Sequence, residues 1–245
     1  MKTAIIIQAR MTSTRLPGKV LKEVLGKPLL EYQVERLRRV KLADEIVIAT
    51  TTNETDQPIL DLCYKLSVPY FRGPEDDVLA RYHGAARQYP ADIVIRITSD
   101  CPLIDPAVVD RMIMFFKNHY PKYDYVSNCL QRTYPRGMDT EVFTFKALSE
   151  AFSEAKTQPE REHVTPFIYR RPDRYSLANV HCDKNYSCHR WTVDTPEDFE
   201  LIQNMIAALY PVNPCFSLQD CLEILRKNPA WVKINSHIEQ KVYGQ

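Results

Sequence analysis

The sequence predicts an α/β fold: a Rossmann-like, doubly wound and mostly parallel sheet. Two observations support this prediction. Short apolar runs alternate with amphipathic helical patterns through the first half of the chain, and polar segments follow several of those runs. Strands separated by helices pair in parallel through right-handed crossovers, so helices cover both faces of the sheet. Ligands bind such sheets at the carboxyl ends of the strands, so the loops after the strands are where a site is expected.

The first half of the chain supplies four predicted strands and the helices between them. The strands are nearly continuous apolar runs, as expected when both faces are buried. Proline in the first turn and aspartate at the N-cap are typical of helix starts. The predicted strands are 3–9, 46–50, 68–71 and 93–98, and the predicted helices begin at Pro28, at Pro58, after Asp77 and at Asp105-Pro106.

The second half is less regular but continues the same pattern. Strands are predicted at 125–128, 142–145 and 176–180, and helices at 146–155, at 196–210 after a Thr195 cap, and after a Ser217 cap up to 228–229. No Gly/Ser-rich linker, internal repeat or low-complexity segment interrupts the chain, which has only 6 glycines in 245 residues. We therefore expect a single domain spanning residues 1–245.

Composition excludes some function classes. Lys and Arg number 32 against 31 Asp and Glu, which leaves a net charge of +1. This balance gives no general electrostatic reason to bind nucleic acid or an anionic membrane. The 7 cysteines are scattered, no secretory leader is recognisable, and no apolar run reaches the length of a membrane span. These features predict a cytoplasmic protein with reduced thiols.

The strongest motif is the segment 8–19, which reads QARMTSTRLPGK and follows the first strand. Arg10, Arg15 and Lys19 bring three cations to a strand's carboxyl end, together with three hydroxyl side chains and a Pro-Gly turn. Arginine binds phosphate oxygens in a bidentate way, lysine adds a point charge, and loop amides complete such a site. The segment is neither a Walker A motif nor G-x-G-x-x-G. A solvated basic loop is the alternative interpretation.

A strand followed by A-R-x-x-S-x-R-L-P-G-K resembles the cytidylyltransferases that make CMP-activated acid sugars, such as the CMP-Kdo and CMP-sialic acid synthetases. It is still more similar to the cytidylyltransferase-like proteins of spore coat polysaccharide biosynthesis. The resemblance covers nearly the whole chain and implies the nucleotide-diphospho-sugar transferase type of this fold. It also implies that the loop binds CTP through Ala9, Arg10, Ser13, Arg15 and Lys19. The three cations are expected to be catalytic, because they would neutralise the triphosphate.

The resemblance further implies Mg²⁺ held by Asp100 and Asp194, which follow two different strands. Aspartates far apart in sequence can converge on one hard cation when both lie at strand ends. The neighbours of Asp100 differ from the pattern of the acid-sugar synthetases. Those enzymes tend to have glycine before the aspartate and glutamate after it, whereas this sequence has Ser99 and Cys101. An Asx turn for Asp100 and a helix cap for Asp194 are the structural alternatives.

Other positions carry weaker expectations from the resemblance. For the base and ribose it implies Asp77 and Arg81, although Asp77 is also suited to be a plain N-cap. For the acceptor it implies a segment, 125–175, that is also expected to form a homodimer. The acceptor-binding candidates are Gly137, Asp139, Glu141, Glu162 and His163. Asp139 and Glu141 would equally suit the solvent face of a strand. A histidine on a helix, as His163 would be, more often has a structural role.

The predicted activity is transfer of CMP from CTP to a sugar or sugar-like acid, with release of pyrophosphate, in surface or spore polysaccharide biosynthesis. A glycosyltransferase or another nucleotidyltransferase of the same fold is the alternative enzyme. A sugar-donor site would favour a D-x-D-like motif after the fourth strand, and Ser99-Asp100-Cys101-Pro102 is not one. A non-catalytic nucleotide-binding protein is the third class, and the presence of both aspartates argues against it.

Overall fold

The computed structural model describes residues 1–239 and is built around a 7-stranded sheet with a separate 2-stranded hairpin. The strands are β1 Thr3–Gln8, β2 Glu23–Val24, β3 Lys27–Pro28, β4 Glu45–Thr51, β5 Tyr70–Gly73, β6 Ile93–Thr98, β7 Tyr125–Ser127, β8 Glu141–Thr144 and β9 Leu177–Asn179. The helices are α1 Leu29–Leu37, α2 Gln57–Leu66, α3 Val78–Gln88, α4 Pro106–Asn118, α5 Phe145–Glu154, α6 Gln158–His163, α7 Pro166–Tyr169, α8 Pro196–Leu209 and α9 Leu218–Lys227. Short 3-10 helices lie at Lys19–Leu21, Glu54–Asp56 and Pro229–Lys233.

The large sheet has the strand order β5-β4-β1-β6-β8-β7-β9. All neighbouring strands pair in parallel except β8, which is antiparallel to both β6 and β7. This arrangement confirms the predicted mostly parallel sheet. The chain leaves β1 toward β4 on one side, whereas β6 lies on the other side of β1. The crevice between the carboxyl ends of β1 and β6 is therefore the topological switch point, where such sheets bind ligands.

Helices cover both faces of the sheet, as predicted. Ile5 and Ile7 of β1 belong to a core formed with α1, α4 and α8, whereas Ala4 and Ile6 belong to a second core formed with α3 and α5. Successive side chains of a strand point to opposite faces, so one buried strand feeds two cores. This double burial explains why the first strand is continuously apolar.

Several predicted boundaries differ from the structure. The third strand was predicted at 68–71, but β5 begins two residues later at Tyr70. Ser67 ends α2 in the left-handed conformation, and the amide of Val68 bonds back to the Cys63 carbonyl at 2.9 Å. Val68 is thus part of a helix C-cap, and its burial reflects the hydrophobic contact common at such caps.

For some short elements no bounds were predicted. The hairpin of β2 and β3 and the short helices α6 and α7 have too few residues to show a periodic pattern. By contrast, the helix caps predicted at Thr195 and Ser217 are confirmed, and each forms a capping box. No helix within residues 1–239 has the length and apolarity needed to cross a membrane.

Candidate active site

A cavity of about 1050 Å³ opens at the carboxyl edge of the sheet, over the crevice between β1 and β6. The loops after β1 and β6, the start of α3, the segment before α8 and residues around β8 and α6 all contribute to its wall. Of the residues predicted for the site, those lining it are Ala9, Arg10, Ser13, Arg15, Lys19, Arg81, Asp100, Asp139, Glu141, Glu162, His163 and Asp194. Asp77 and Gly137 are not among the lining residues.

The loop after β1, residues 9–18, is fixed by hydrogen bonds of its own backbone. The amides of Ser13 and Gly18 both donate to the Met11 carbonyl, at 3.0 and 2.9 Å. Gly18 has a φ of 67°, which suits glycine at this turn before the 3-10 helix that begins with Lys19. The Asp56 carboxylate accepts from the Met11 amide at 2.7 Å, so a buried anion anchors the loop to the end of β4.

Arg10 is already paired with a carboxylate. Its guanidinium lies 3.2 Å from Glu75 in the loop before α3. Thr12 and Asn53 also donate to Glu75. The hydrogen bond from Thr12 is the largest cause of the lowered pKa of Glu75, and Asn53 and Arg10 act in the same direction. Glu75 therefore holds Arg10 and the first loop at the α3 side of the cavity.

Lys19 lies between the two predicted metal ligands. Its ammonium is 2.7 Å from Asp194 Oδ1 and 3.6 Å from Asp100 Oδ2. A backbone hydrogen bond of 2.8 Å from the Val193 amide to the Asp100 carbonyl joins the two segments that carry these carboxylates. Arg15 also approaches Asp194, with its guanidinium 3.0 Å from Oδ2. The structure thus brings together Lys19 and Asp194, which are 175 positions apart in sequence.

The electrostatics of this cluster keep Asp100 and Lys19 charged. Burial would raise the pKa of Asp100, but attraction to Lys19 and interactions with Thr98 and Thr192 lower it below its ordinary value. Burial would likewise lower the pKa of Lys19, and attraction to Asp100 and Asp194 raises it instead. Both are the shifts expected when an opposite charge outweighs desolvation. At neutral pH Asp100 is therefore a carboxylate beside the Lys19 ammonium.

The opposite wall of the cavity is built around Glu141, the first residue of β8. It is only 8% exposed, so the interpretation of Glu141 as a residue on a strand's solvent face is wrong. Its carboxylate pairs with Arg96 of β6 and accepts hydrogen bonds from Tyr125 at 2.8 Å and from Thr165. Burial alone would lower the pKa of Arg96, and the charge of Glu141 raises it above its ordinary value. Glu141 therefore forms an ion pair with Arg96 in the cavity wall.

Two arginines in the loop between β7 and β8 differ in their pairing. Arg132 forms a two-pronged ion pair with Asp139, one contact of which is 2.8 Å. Arg136 lines the cavity, and its guanidinium has no ion pair among residues 1–239. Burial, together with the nearby positive charge of Arg132, lowers the pKa of Arg136. This wall therefore presents one guanidinium that an anionic ligand can pair with.

Two of the predicted positions, Asp77 and Arg81, have structural roles. The Asp77 carboxylate accepts from the Ala80 amide at 2.8 Å and pairs with Arg161, so it caps α3, as its alternative interpretation stated. Arg81 is buried and donates to the carbonyls of Pro74 and Glu75 at 2.7 and 2.8 Å, which shapes the wall beside Arg10. A direct contact of Asp77 with a nucleotide is not supported by its place outside the cavity lining.

Gly137 acts through its backbone. Its φ is +100°, and a Cβ atom there would lie 2.6 Å from the Trp191 carbonyl oxygen. Because Gly137 has no side chain, the loop between β7 and β8 can pack against the strand-like segment before α8. The amide of Arg136 donates to His189 at 3.0 Å and the amide of Trp191 donates to Arg136 at 2.8 Å. The two walls of the cavity are joined at this contact.

The sequence offered partial signals for the cavity residues that were not predicted. Arg96 interrupts an apolar strand, which is unusual in a buried parallel strand and could have marked it. Glu75, Arg136 and Thr165 gave no such signal, because their roles depend on contacts with distant segments. Asp194 does not cap α8: the Thr195 side chain does, accepting from the Asp198 amide at 3.3 Å.

The fold and the charged cleft at its switch point are those of a nucleotidyltransferase, and comparison with known proteins defines the family. The chain matches the Cytidylyltransferase family model over residues 4–223. It therefore belongs to the cytidylyltransferase family, whose members are CTP-dependent nucleotidyltransferases, as the resemblance implied.

Similar proteins come from several organisms. The chain is 37% identical to an uncharacterized protein of Methanocaldococcus jannaschii over 100% of this chain and 99% of that protein. It is 34% identical to the spore coat polysaccharide biosynthesis protein SpsF of Bacillus subtilis, covering 91% and 94% of the two chains. A solved cytidylyltransferase of Leptospira borgpetersenii superimposes with a TM-score of 0.91 at 35% identity, covering 99% of each chain.

Proposed function

We propose that this enzyme transfers CMP from CTP to a sugar or sugar-like acid and releases pyrophosphate, in surface or spore polysaccharide biosynthesis. The observation that carries the proposal is the convergence of Asp100, Asp194, Lys19 and Arg15 at one point of the cavity. The similarity to a spore coat polysaccharide biosynthesis protein over 94% of that protein supports the pathway class.

The cavity provides two ends for two substrates. Arg10, Ser13, Arg15 and Lys19 belong to the loop after β1 and its 3-10 helix, and we assign them with Ala9 to the nucleotide. Arg81 shapes the wall beside them. Asp139, Glu141, Glu162 and His163 line the other wall, and we assign them to the acceptor. A cavity of about 1050 Å³ is large enough for both compounds, since sites for one drug-sized ligand span roughly 300–1,000 Å³.

The donor set at Asp100 and Asp194 fits Mg²⁺. Both ligands are carboxylates, and within residues 1–239 no cluster of three or more His, Cys, Asp or Glu forms an all-protein metal cage. Mg²⁺ is commonly held by one or two carboxylates plus substrate phosphates and water, so two aspartates facing the triphosphate suffice. When bound, the ion would supply positive charge beside the α-phosphate.

The protein's own residues perform the positioning in this proposal. The acceptor oxygen forms a bond to the α-phosphorus, and the bond between that phosphorus and the oxygen bridging to the β-phosphate breaks. Pyrophosphate leaves with the bridging oxygen, and the acceptor's proton passes to solvent. Arg15 and Lys19 neutralise the charge that develops on the leaving pyrophosphate, which is electrostatic catalysis by preorganised groups. Arg10 reaches the phosphates from the side of α3 where Glu75 holds it.

An acidic acceptor is supported by Arg136. This guanidinium lines the acceptor wall and has no ion pair among the described residues, while the neighbouring Arg132 is already paired with Asp139. A carboxylate or phosphate on the acceptor would pair with Arg136 in a bidentate way. The hydroxyl groups of a sugar would donate to the carboxylates of the same wall.

Calorimetric titration with CTP, UTP, ATP and GTP, each with and without Mg²⁺, tests the nucleotide half of the proposal. Selective CTP binding that strengthens with Mg²⁺ is the expected result, followed by pyrophosphate release when acidic sugars are added. Asp100→Asn should remove the Mg²⁺ effect and abolish turnover in a folded protein. Asp110→Asn is the matched control, because that aspartate of α4 lies outside the cavity lining and accepts from the amides of residues 41 and 42. Equal affinity for all four nucleotides would contradict the proposal.

The proposal includes a single nucleotidyltransferase domain over 1–245, of which 240–245 lie outside the described residues. It also includes a cytoplasmic homodimer that pairs through residues 125–175. Light scattering coupled to gel filtration tests the dimer. A mass equal to one chain, 28.5 kDa, at the concentrations used for activity would contradict it.

A further inference from the structure

The Asp194 carboxylate contacts a buried ionic network formed by Arg190 and Asp198. Arg190 donates to Asp194 Oδ2 at 3.0 Å and forms two hydrogen bonds of 2.9 Å with Asp198. The Arg190 and Asp198 side chains are 7% and 0% exposed, so the pair is shielded from water. Arg190 thus contacts the Asp194 oxygen that Arg15 also approaches, whereas Lys19 binds the other carboxylate oxygen.

Asp198 organises the backbone that carries Asp194. Besides Arg190, its carboxylate accepts from the amides of Asp194 and Thr195, at 3.0 and 3.1 Å. One buried anion therefore fixes both the main chain of Asp194 and the guanidinium that contacts its side chain. A capping box alone requires only the bond to Thr195, so the additional contacts go beyond helix capping.

The network is completed from the far end of the chain. Asn235, which is 3% exposed and follows the 3-10 helix Pro229–Lys233, donates to Asp198 Oδ1 at 2.8 Å. The same amide nitrogen donates to the Arg190 carbonyl at 2.9 Å. Asn235 therefore contacts both members of the pair while lying outside the cavity lining. The polar groups of this buried network are matched to one another, which is the condition under which such a network specifies one geometry.

We propose that Arg190, Asp198 and Asn235 are positioning residues that set the orientation of the Asp194 carboxylate toward a divalent cation at the nucleotide. This inference rests on the proposed function, since it gives Asp194 the metal role. Outer partners that orient a metal ligand typically contribute 10- to 100-fold to metal affinity. The segment after α9 would then act on the active site through Asn235 without touching either substrate.

The test measures Mn²⁺ binding by electron paramagnetic resonance, with and without saturating CTP, in the full-length protein. The key variant is Asn235→Ala, which removes both donated hydrogen bonds. The matched control is Asn228→Ala, because Asn228 lies in the same segment and, among residues 1–239, its side-chain amide donates only to the nearby Ile224 carbonyl, at 3.0 Å. Arg190→Lys is a second variant, which keeps the charge but loses the planar fork that joins Asp194 to Asp198.

We expect Asn235→Ala to lower the Mn²⁺ affinity of the CTP complex about 10- to 100-fold, while CTP affinity without metal stays at the wild-type level. Arg190→Lys should likewise lower the Mn²⁺ affinity of the CTP complex and leave the metal-free CTP affinity unchanged. Asn228→Ala should leave both affinities at the wild-type level and lower only the thermal stability. Wild-type Mn²⁺ affinity in folded Asn235→Ala and Arg190→Lys proteins would overturn the inference. An equal loss of Mn²⁺ affinity in Asn228→Ala would also overturn it.

The wild-type protein separates this inference from the proposed function. If wild-type protein with CTP binds no Mn²⁺, the metal role of Asp194 fails and the proposed function fails with it. If wild-type protein binds Mn²⁺ only with CTP and the variants behave like it, the proposed function stands and the positioning role alone is overturned.

Discussion

Replacing Lys19 with methionine should have opposite effects on metal binding and on turnover. In the structure the Lys19 ammonium lies 2.7 Å from Asp194 and 3.6 Å from Asp100, and the three side chains are 13%, 11% and 21% exposed. A divalent cation that binds these carboxylates in the absence of nucleotide must compete with this ammonium. Lys19→Met removes the competitor, keeps most of the side-chain volume and leaves both carboxylates in place.

The size of the effect follows from the contact that is lost. A hydrogen bond to a charged group contributes about 1.5–3 kcal/mol. At about 1.4 kcal/mol for each factor of ten, its loss corresponds to about 10- to 150-fold. Nucleotide-free Mn²⁺ affinity should therefore increase by this factor in Lys19→Met. Turnover should fall by a factor of about 10² to 10³, the usual cost of removing one preorganised electrostatic group.

Manganese titration followed by electron paramagnetic resonance measures the first effect, and a pyrophosphate-release assay measures the second. Lys22→Met is the control, because Lys22 belongs to the same segment but its ammonium lies over the Phe199 ring, 5.2 Å from the centroid. It should leave both quantities unchanged. An unchanged or weaker Mn²⁺ affinity in folded Lys19→Met would refute the reasoning that this ammonium and a metal share the two carboxylates.

Three further predictions concern the support of the site. Gly137→Ala should lower the free energy of unfolding by about 3 kcal/mol in denaturant titrations, from the strained φ and the 2.6 Å approach to Trp191; Gly26→Ala, with φ +73° but open space around it, should cost only about 1–2 kcal/mol. Asp56→Ala releases the amide at the start of the first loop, so steady-state kinetics should show a KM for CTP raised about 10-fold or more, with a smaller change in kcat. Asp198→Asn tests the pH dependence of stability. Burial would raise the pKa of Asp198, but its hydrogen bonds hold the folded-state pKa below the unfolded value. The stability that Asp198 contributes is therefore present above about pH 4 and is lost as the pH falls below about 4. Between about pH 6 and about pH 2 the free energy of unfolding should therefore decrease less for Asp198→Asn than for wild type. An equal decrease in the two proteins would contradict this assignment.

The sequence predicted best those features that depend on neighbouring residues. The strands of the first half and the caps at Thr195 and Ser217 were found because apolar periodicity and capping boxes are local signals. The loop after β1 was found because its cations and hydroxyls are adjacent in sequence. The structure places this loop at the cavity, as a doubly wound sheet requires.

Features that depend on distant contacts were not predictable in the same way. The pairing of Glu141 with Arg96 requires that β8 lie antiparallel beside β6, and no short-range pattern encodes that neighbour. The cap at Thr195 was predicted, but its capping-box partner Asp198 also contacts Arg190 and Asn235, the latter 37 positions away. The carboxylates of Asp77 and Asp194 both precede helices in sequence, yet only Asp77 caps its helix.

The reversed direction of β8 has a consequence for how acceptor preference can be altered. Ser127, at the end of β7, pairs with Glu141, at the start of β8, so the intervening residues 128–140 leave the sheet and re-enter it at adjacent positions about 5 Å apart. That stretch carries Arg136 and Asp139 into the cavity, while the loop that we assign to the nucleotide follows β1, on the far side of β6. We therefore expect that transplanting the corresponding stretch from a relative with another acceptor, together with its contacts to the segment before α8, redirects specificity while CTP affinity is retained.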